Sequence, residues 1–285
     1  MTLEEFYLIV AYVLAGLLGV CVGSFLNVVI YRVPKGMRLD KPASHCPKCG
    51  YKLKPWDNIP VLSYLFLKGK CHSCKTKISF RYTAVELANM LAWLACVWMF
   101  WEKSIVFAVL CAIASSLLIC VFFIDLEHML IFDKFQIMLG VLAVLAVFFD
   151  PHYSWLSHVI GGAVGFAFFY GLYAIFYYFL KKDALGGGDI KLTAVMGLML
   201  GWQRLLLSLL IASVTGSIIL VILSRRQSAT EDLQDGKVEE QDESQEAQEP
   251  QSKEYPFGPF LCAGFWVALL FGAPIIQWYI SLLVF

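Results

Sequence analysis

Long runs of residues that contain no Asp, Glu, Lys or Arg are the feature that most constrains how this chain can fold. A helix needs about 20 apolar residues to cross a bilayer, and only helices or closed barrels satisfy their backbone hydrogen bonds inside lipid. The candidate runs are residues 6–31, 87–101, 104–124, 135–149, 151–180, 192–203, 205–224 and 255–285. We therefore predict an all-α polytopic membrane protein with about eight transmembrane helices.

The composition excludes an ordinary soluble domain. Hydrophobic residues make up 59% of the 285 and charged residues 15%, whereas soluble domains are about 45–50% apolar and about 25% charged. The first apolar run follows Glu4 and Glu5 rather than basic residues, and it is longer than the core of a signal peptide. We expect it to remain as a membrane helix.

The charges fall into two opposed blocks that predict an orientation. Residues 31–83 hold twelve Lys or Arg and two Asp or Glu, a net charge of +10. Basic loops stay in the cytoplasm, so we expect this loop inside and the N-terminus in the periplasm. The stretch from about 226 to 254 is rich in Gln, Glu, Ser and Asp, and we expect a disordered cytoplasmic linker there.

Two CxxC pairs lie in the basic loop, at Cys46 and Cys49 and at Cys71 and Cys74, with 21 residues between the pairs. This spacing predicts a zinc-ribbon-like loop, slightly longer than usual. Four thiolates complete a tetrahedral shell, so the zinc would be structural. A redox dithiol or unmetallated cysteines are the alternatives, while disulfides do not fit a reducing cytoplasm.

The same topology puts two aspartates at the cytoplasmic face of the membrane, where they are candidates for a catalytic site. We expect Asp125 to close the third helix and Asp189 to open the sixth, directly after Gly186, Gly187 and Gly188. Ionisable groups at membrane depth are costly and mark functional sites, although each Asp alone could simply cap its helix. The three glycines allow close backbone approach, and we expect them to form an active-site loop that admits an extended peptide.

Several ordered motifs accompany these aspartates, and together they resemble the type IV prepilin peptidases, a family of membrane aspartyl proteases with a GxGD signature. The resemblance covers most of the chain. It rests on residues 23–34 (GSFLNVVIYRVP), 56–64 (WDNIPVLSY), 78–86 (ISFRYTAVE), 186–192 (GGGDIKL) and 256–260 (PFGPF). The chain departs from the family at Phe132, where members often have Pro, and in the length of the acidic linker.

The resemblance implies that Asp125 and Asp189 are the catalytic pair. It also implies that the chain N-methylates the new pilin terminus, with S-adenosylmethionine as the methyl donor and Glu86 and Asn89 as candidate cofactor residues. It implies a division into residues 1–90, associated with methyl transfer, and residues 91–285, the peptidase membrane domain. The expected partners are prepilins or pseudopilins and the lipid bilayer of the bacterial inner membrane, with no nucleic acid.

The pair suggests a mechanism and leaves two competing functions to test. Two close carboxyls share one proton, and the helix dipole favours charge on Asp189, so we expect Asp189 as base and Asp125 as acid. A membrane CxxC thiol oxidoreductase is one alternative, but its cysteines would need to face the oxidising side or a quinone. A proton-coupled transporter that uses both aspartates as a relay is the other, and it explains neither the four cysteines nor the glycines.

Overall fold

The computed structural model describes residues 2–181, 186–235 and 255–283, and regular structure within them is helical apart from two isolated β-bridges. The all-α prediction is confirmed. The helices are α1 (Leu3–Arg32), α2 (Leu62–Phe66), α3 (Arg81–Phe100), α4 (Ile105–His128), α5 (Asp133–Val147), α6 (Trp155–Ile175), α7 (Gly187–Leu200), α8 (Trp202–Asp235) and α9 (Gly258–Leu283). A 3-10 turn (Pro55–Asn58) precedes α2, and a π-helical turn (Phe176–Leu180) extends α6.

Each predicted apolar run corresponds to one of the helices other than α2, which belongs to the basic loop. In the described part of the chain, six helices are long and apolar enough to cross a membrane: α1, α3, α4, α6, α8 and α9. The helices α5 and α7 have only 15 and 14 residues. At 1.5 Å per residue α7 is about 21 Å long, so it needs support from its neighbours to pass through the bundle.

Glycines set how closely two pairs of helices pack. A Cβ on Gly23 of α1 would lie 2.8 Å from the Cα of Glu86 on α3, and a Cβ on Gly161 of α6 would lie 2.3 Å from the carbonyl oxygen of Gly197 on α7. Small residues that let backbones touch are the usual basis of helix association in lipid, where apolar side chains gain little by leaving the solvent. The contact at Gly161 fixes α7, and therefore Asp189, against α6.

The two ends of the bundle differ in what they carry. At one end, which we call the loop face, lie the basic loop, the end of α4 and the beginnings of α7 and α9; Arg81 of α3 pairs there with Glu127 of α4. At the other end, the far face, the α5–α6 connection packs on the beginning of α8 through Asp150 and Arg204. The loop face therefore gathers nearly all the sequence motifs.

Helix α8 is longer than the sequence suggested. It continues to Asp235, so the first residues of the expected acidic linker are helical. Residues 236–254, the rest of that linker, lie outside the described residues.

Candidate active site and metal site

Asp125 lies in the last turn of α4, and its side chain is buried at the loop face. The helix ends three residues later at His128, and the left-handed backbone of the next residue, Met129 (φ of 52°), turns the chain towards α5. Gly258 at the beginning of α9 faces the carboxyl group: a Cβ there would lie 2.5 Å from Asp125 Oδ2. Any side chain at residue 258 would displace the carboxyl group, so the glycine of the 256–260 motif forms a wall of the site.

Asp189 lies in the first turn of α7 and is brought to the same place. Ile131 is the shared neighbour: a Cβ on Gly188, the residue before Asp189, would lie 2.9 Å from Ile131 Cβ, and a Cβ on Gly258, which faces Asp125, would lie 3.4 Å from Ile131 Cδ1. Within the described chain, Asp125 Oδ2 and Asp189 Oδ1 are buried without a hydrogen-bond partner. Buried acceptors normally have partners, so a site with two open carboxylate oxygens is suited to hold a water molecule or a peptide group.

The three glycines before Asp189 do not form a loop, and that expectation is corrected. Gly187 and Gly188 belong to the first turn of α7, with Gly186 directly before it. Only glycine fits at residue 188 without a shift of its neighbours, because a Cβ there would lie 2.9 Å from the Cβ of Ile131. The glycines thus let the N-terminus of a helix approach the chain that follows α4, which brings Asp189 towards Asp125.

Sequence reasoning missed Gln136, which fixes this approach. Its side chain is buried on α5, and its Nε2 donates a hydrogen bond of 2.8 Å to the carbonyl oxygen of Gly188. Its Oε1 is a further buried acceptor without a partner in the described chain. The only sequence signal would have been a polar residue near the start of the charge-free run of residues 135–149.

Ion pairs at the loop face surround the two aspartates. Arg81 pairs with Glu127, and Lys191 Nζ lies 2.7 Å from Asp133 Oδ1. The second pair is exposed, so it contributes about 0–1 kcal/mol to stability. These charges connect α3 to α4 and α5 to α7 without entering the buried site.

The four cysteines of the loop come together as predicted. Their sulfur atoms all lie within 4.8 Å of one another, and the Sγ atoms of Cys46 and Cys74 are 3.9 Å apart. Tetrahedral zinc with bonds of about 2.3 Å requires sulfur atoms about 3.8 Å apart. Each CxxC pair lies in a small knuckle closed by an antiparallel β-bridge, His45 with Lys52 and Lys70 with Lys77. The geometry therefore fits one tetrahedral metal ion.

The chemistry of these thiols supports the same fit. The Thr76 hydroxyl group beside Cys74 lowers the pKa of that thiol to about 6. A backbone hydrogen bond from Tyr51 favours the Cys49 thiolate, but burial and the neighbouring thiols raise the pKa of Cys49 to about 11. Four thiolates so close together repel each other unless a cation lies among them. His72 is turned elsewhere: its Nδ1 lies 3.2 Å from the buried carboxylate of Asp57, and its ring stacks on Tyr51. The structure thus leaves the four cysteines as the ligand set.

Glu86 and Asn89 lie on the face of α3 that packs against α1. Glu86 Oε2 accepts a hydrogen bond of 2.7 Å from the backbone N–H of Val61 in the loop. Asn89 Nδ2 donates to the carbonyl oxygen of Gly19, and Asn89 Oδ1 accepts from the Ser116 hydroxyl group, both at 2.7 Å. Both residues thus already bond within the protein, and their role with a methyl donor stays a prediction.

A buried charge cluster at the far face was also missed. Arg204 is 1% exposed and pairs with Asp150, whose side chain is fully buried, and His158 Nε2 lies 3.4 Å from the same carboxylate. Burial opposes the charge of Asp150, but a hydrogen bond from His152 and the positive charge of Arg204 hold its pKa below its usual range. Two charged residues far apart in sequence gave no signal of this contact.

Two buried, neighbouring carboxyl groups in a helical membrane bundle are the arrangement expected of a membrane-embedded aspartic peptidase. The fold and the site both point to this class.

Comparison with known proteins gives the family. Residues 17–100 match the bacterial peptidase A24 N-terminal domain, and residues 111–221 match the type IV leader peptidase family. The chain is similar to a prepilin leader peptidase/N-methyltransferase of Pseudomonas aeruginosa, with 33% identity over 93% of this chain and 92% of that protein. The chain is also similar to a protein of the same name from Legionella pneumophila, with 32% identity over 95% of this chain and 94% of that protein. A third, from Myxococcus xanthus, is 38% identical over 76% of this chain and 66% of its own length.

The chain therefore belongs to the prepilin leader peptidase/N-methyltransferase family and is a multi-pass inner-membrane enzyme. No solved structure matches it.

Proposed function

We propose that this chain cleaves the leader peptides of prepilins or pseudopilins with Asp125 and Asp189, and methylates the new N-terminus. The observation that carries the peptidase proposal is that Asp125 and Asp189 come from two helices to neighbouring positions around Ile131 at the loop face, each with a buried oxygen that has no partner in the described chain. The names of the relatives, each a prepilin leader peptidase/N-methyltransferase, supply the substrate class and the second activity.

The catalytic cycle follows from the two carboxyl groups. Facing carboxyl groups cannot both ionise cheaply, so they share one proton near neutral pH. Asp189 lies in the first turn of α7, where the helix dipole favours its charged form, so it is the base that takes a proton from water. Asp125, buried at the end of α4, is the acid that donates to the scissile carbonyl oxygen.

The charge of the basic loop supports a cytoplasmic location for this chemistry. The loop of residues 31–83 has a net charge of +10 and emerges at the same face as both aspartates. Basic loops stay on the cytoplasmic side, so the N-terminus is periplasmic. A site at this face meets the junction between a cytoplasmic leader and a hydrophobic helix, which is where a pilin precursor must be cut.

Zinc and S-adenosylmethionine have different support. Zinc would be held in a closed shell of four thiolates that stabilises the loop. The four ligands are Cys46, Cys49, Cys71 and Cys74. S-adenosylmethionine is the methyl donor that the family name implies, and Glu86 and Asn89 would act near it, but their known contacts are to the protein itself. The closed metal shell also argues against a thiol oxidoreductase, and the family against a transporter.

Mass spectrometry of a pilin co-expressed with this chain tests both activities at once. The wild-type chain should yield pilin that lacks its leader and carries one added methyl group. Asp125→Asn and Asp189→Asn should each yield only uncut precursor, because a shared-proton pair fails when either member is lost. Asp133→Asn is the matched control, since it removes an exposed acid from the same face. Normal cutting by either variant of the pair would remove that residue from the active site.

A further inference from the structure

Part of the basic loop exposes large apolar side chains outside the helical bundle. We call residues 56–66 the interfacial segment; it contains most of the 3-10 turn and all of α2. One face of α2 carries three apolar residues at an i, i+3, i+4 spacing: Leu62, Leu65 and Phe66. Their exposed fractions are 50%, 63% and 81%. Trp56 is also exposed. Contiguous apolar surface of this kind normally marks a binding surface.

The depth of this segment follows from its contact with α3. The backbone N–H of Val61, the residue before α2, donates to Glu86. Glu86 lies five residues beyond Arg81, the first residue of α3, which corresponds to about 7.5 Å along the helix. The headgroup layer on each side of a bilayer is roughly 5–8 Å thick. A segment attached at Glu86 therefore lies beside the first turns of a membrane helix, at the level of the headgroups.

The exposed apolar surface is continuous with the membrane helix itself. Phe80 directly precedes α3 and is 61% exposed. Its ring packs edge-on against that of Tyr64 in α2, with 6.1 Å between the ring centroids. The apolar face of α2 thus adjoins the point where α3 enters the bilayer.

The charges around the segment fit an anionic surface. Lys54, Lys68 and Lys70 flank it and are exposed. Both acidic residues of the loop are engaged within it: Asp40 pairs with Arg38, and the buried Asp57 accepts a hydrogen bond from Tyr51. An apolar face bordered by lysines is the composition of helices that lie in the plane of a membrane with anionic lipids.

We propose that the interfacial segment docks on the bilayer at the surface where the loop emerges. Leu62, Leu65 and Phe66 enter the boundary between headgroups and acyl chains, and the flanking lysines contact anionic headgroups. This second attachment, added to the hydrogen bond at Glu86, holds the four-Cys loop against the membrane. It is independent of the peptidase and methyltransferase activities, because it uses none of the residues assigned to them except Glu86 as an anchor point.

Photo-cross-linking in a bilayer tests this docking. The full chain, with p-benzoylphenylalanine in place of Phe66, would be placed in nanodiscs of phosphatidylcholine and phosphatidylglycerol. A second variant would carry the same group in place of Lys52, an exposed loop residue outside the segment. We expect lipid adducts by mass spectrometry at residue 66 and several-fold fewer at residue 52. Retained cleavage of a prepilin confirms that each variant is folded.

The lipid composition separates the two parts of the proposal. Each lysine near an anionic surface gains about 1 kcal/mol, so discs of phosphatidylcholine alone should lower the adduct yield at residue 66 at least about fivefold. Absence of lipid adducts at residue 66, or equal yields at residues 66 and 52, would overturn the docking. Equal yields in neutral and anionic discs would overturn the role of the lysines. Adducts with an added prepilin in place of lipid would show that the face binds substrate instead.

Discussion

At the scale of single residues, the active site depends on groups that surround the carboxylates as much as on the carboxylates themselves. Asp125 faces Gly258, and Asp189 follows a glycine whose carbonyl group is held by Gln136. The two aspartates could be predicted because charge is rare at membrane depth. Gln136 could not, because a neutral polar residue in an apolar helix has many possible roles and its partner lies 52 residues away.

Gln136→Leu should reduce cleavage without preventing membrane insertion. The substitution keeps the approximate volume and removes the hydrogen bond to the Gly188 carbonyl group, which is worth about 1 kcal/mol. If that energy holds Asp189 in place, kcat should fall about fivefold. The measurement is the rate of leader cleavage by purified enzyme. Unchanged kcat together with an unchanged melting temperature would show that Gln136 does not position the site.

At the scale of elements, the proposed site lies at the loop face because the end of α4 and the beginnings of α7 and α9 meet there. The charge-free runs located the helices correctly, because lipid permits no other regular structure for such segments. The apolar run of residues 192–203 does not include the first turn of α7, because Asp189 and Lys191 precede it. The expectation that Asp189 opens this helix is confirmed, since α7 begins at Gly187 and has Asp189 in its first turn.

Two neighbouring glycines provide a matched test of the beginning of α7. A Cβ on Gly188 would lie 2.9 Å from the Cβ of Ile131, whereas a Cβ on Gly187 would have no atom within 4 Å. Gly188→Ala should therefore displace Asp189 and reduce cleavage at least tenfold, since small displacements of catalytic groups are costly. Gly187→Ala should leave cleavage nearly unchanged. Equal activity of the two variants in a cleavage assay would contradict the close contact at Ile131.

The four-Cys loop should behave as a separate metal-dependent element. Elemental analysis of purified protein should find about one zinc ion per chain. Cys46→Ser combined with Cys71→Ser should abolish zinc binding and unfold the loop rather than the membrane helices, because the metal supplies much of the folding free energy of such a loop. Methyl transfer should fall at least as strongly as cleavage. Active wild-type protein without zinc would refute the metal site.

At the scale of the whole molecule, the two faces of the bundle have different tasks. The loop face carries the aspartates, the cysteines and the basic loop. The far face carries a buried ion pair between Arg204 and Asp150, which joins the α5–α6 connection to α8. No pattern in the sequence predicts this pair, because its members belong to segments that meet only when the bundle is assembled.

Arg204→Met should lower the stability of the bundle more than it lowers the activity of each folded molecule. It leaves the carboxylate of Asp150 buried without its cation, and breaking a buried pair from one side costs about 3–5 kcal/mol. Lys191→Met, which removes an exposed pair, should cost about 0–1 kcal/mol. Thermal unfolding in detergent measures both. A melting temperature of Arg204→Met equal to that of Lys191→Met would show that the buried pair stabilises nothing.

The walls of the active site come from three helices that are synthesised at different times. Asp125 is on α4, Asp189 on α7 and Gly258 on α9. A nascent chain that has inserted α4 and α7 already holds both carboxyl groups, but the side of the site next to Asp125 stays open until α9 enters the bilayer. The proposed active site is therefore complete only after α9 has been inserted, late in biogenesis.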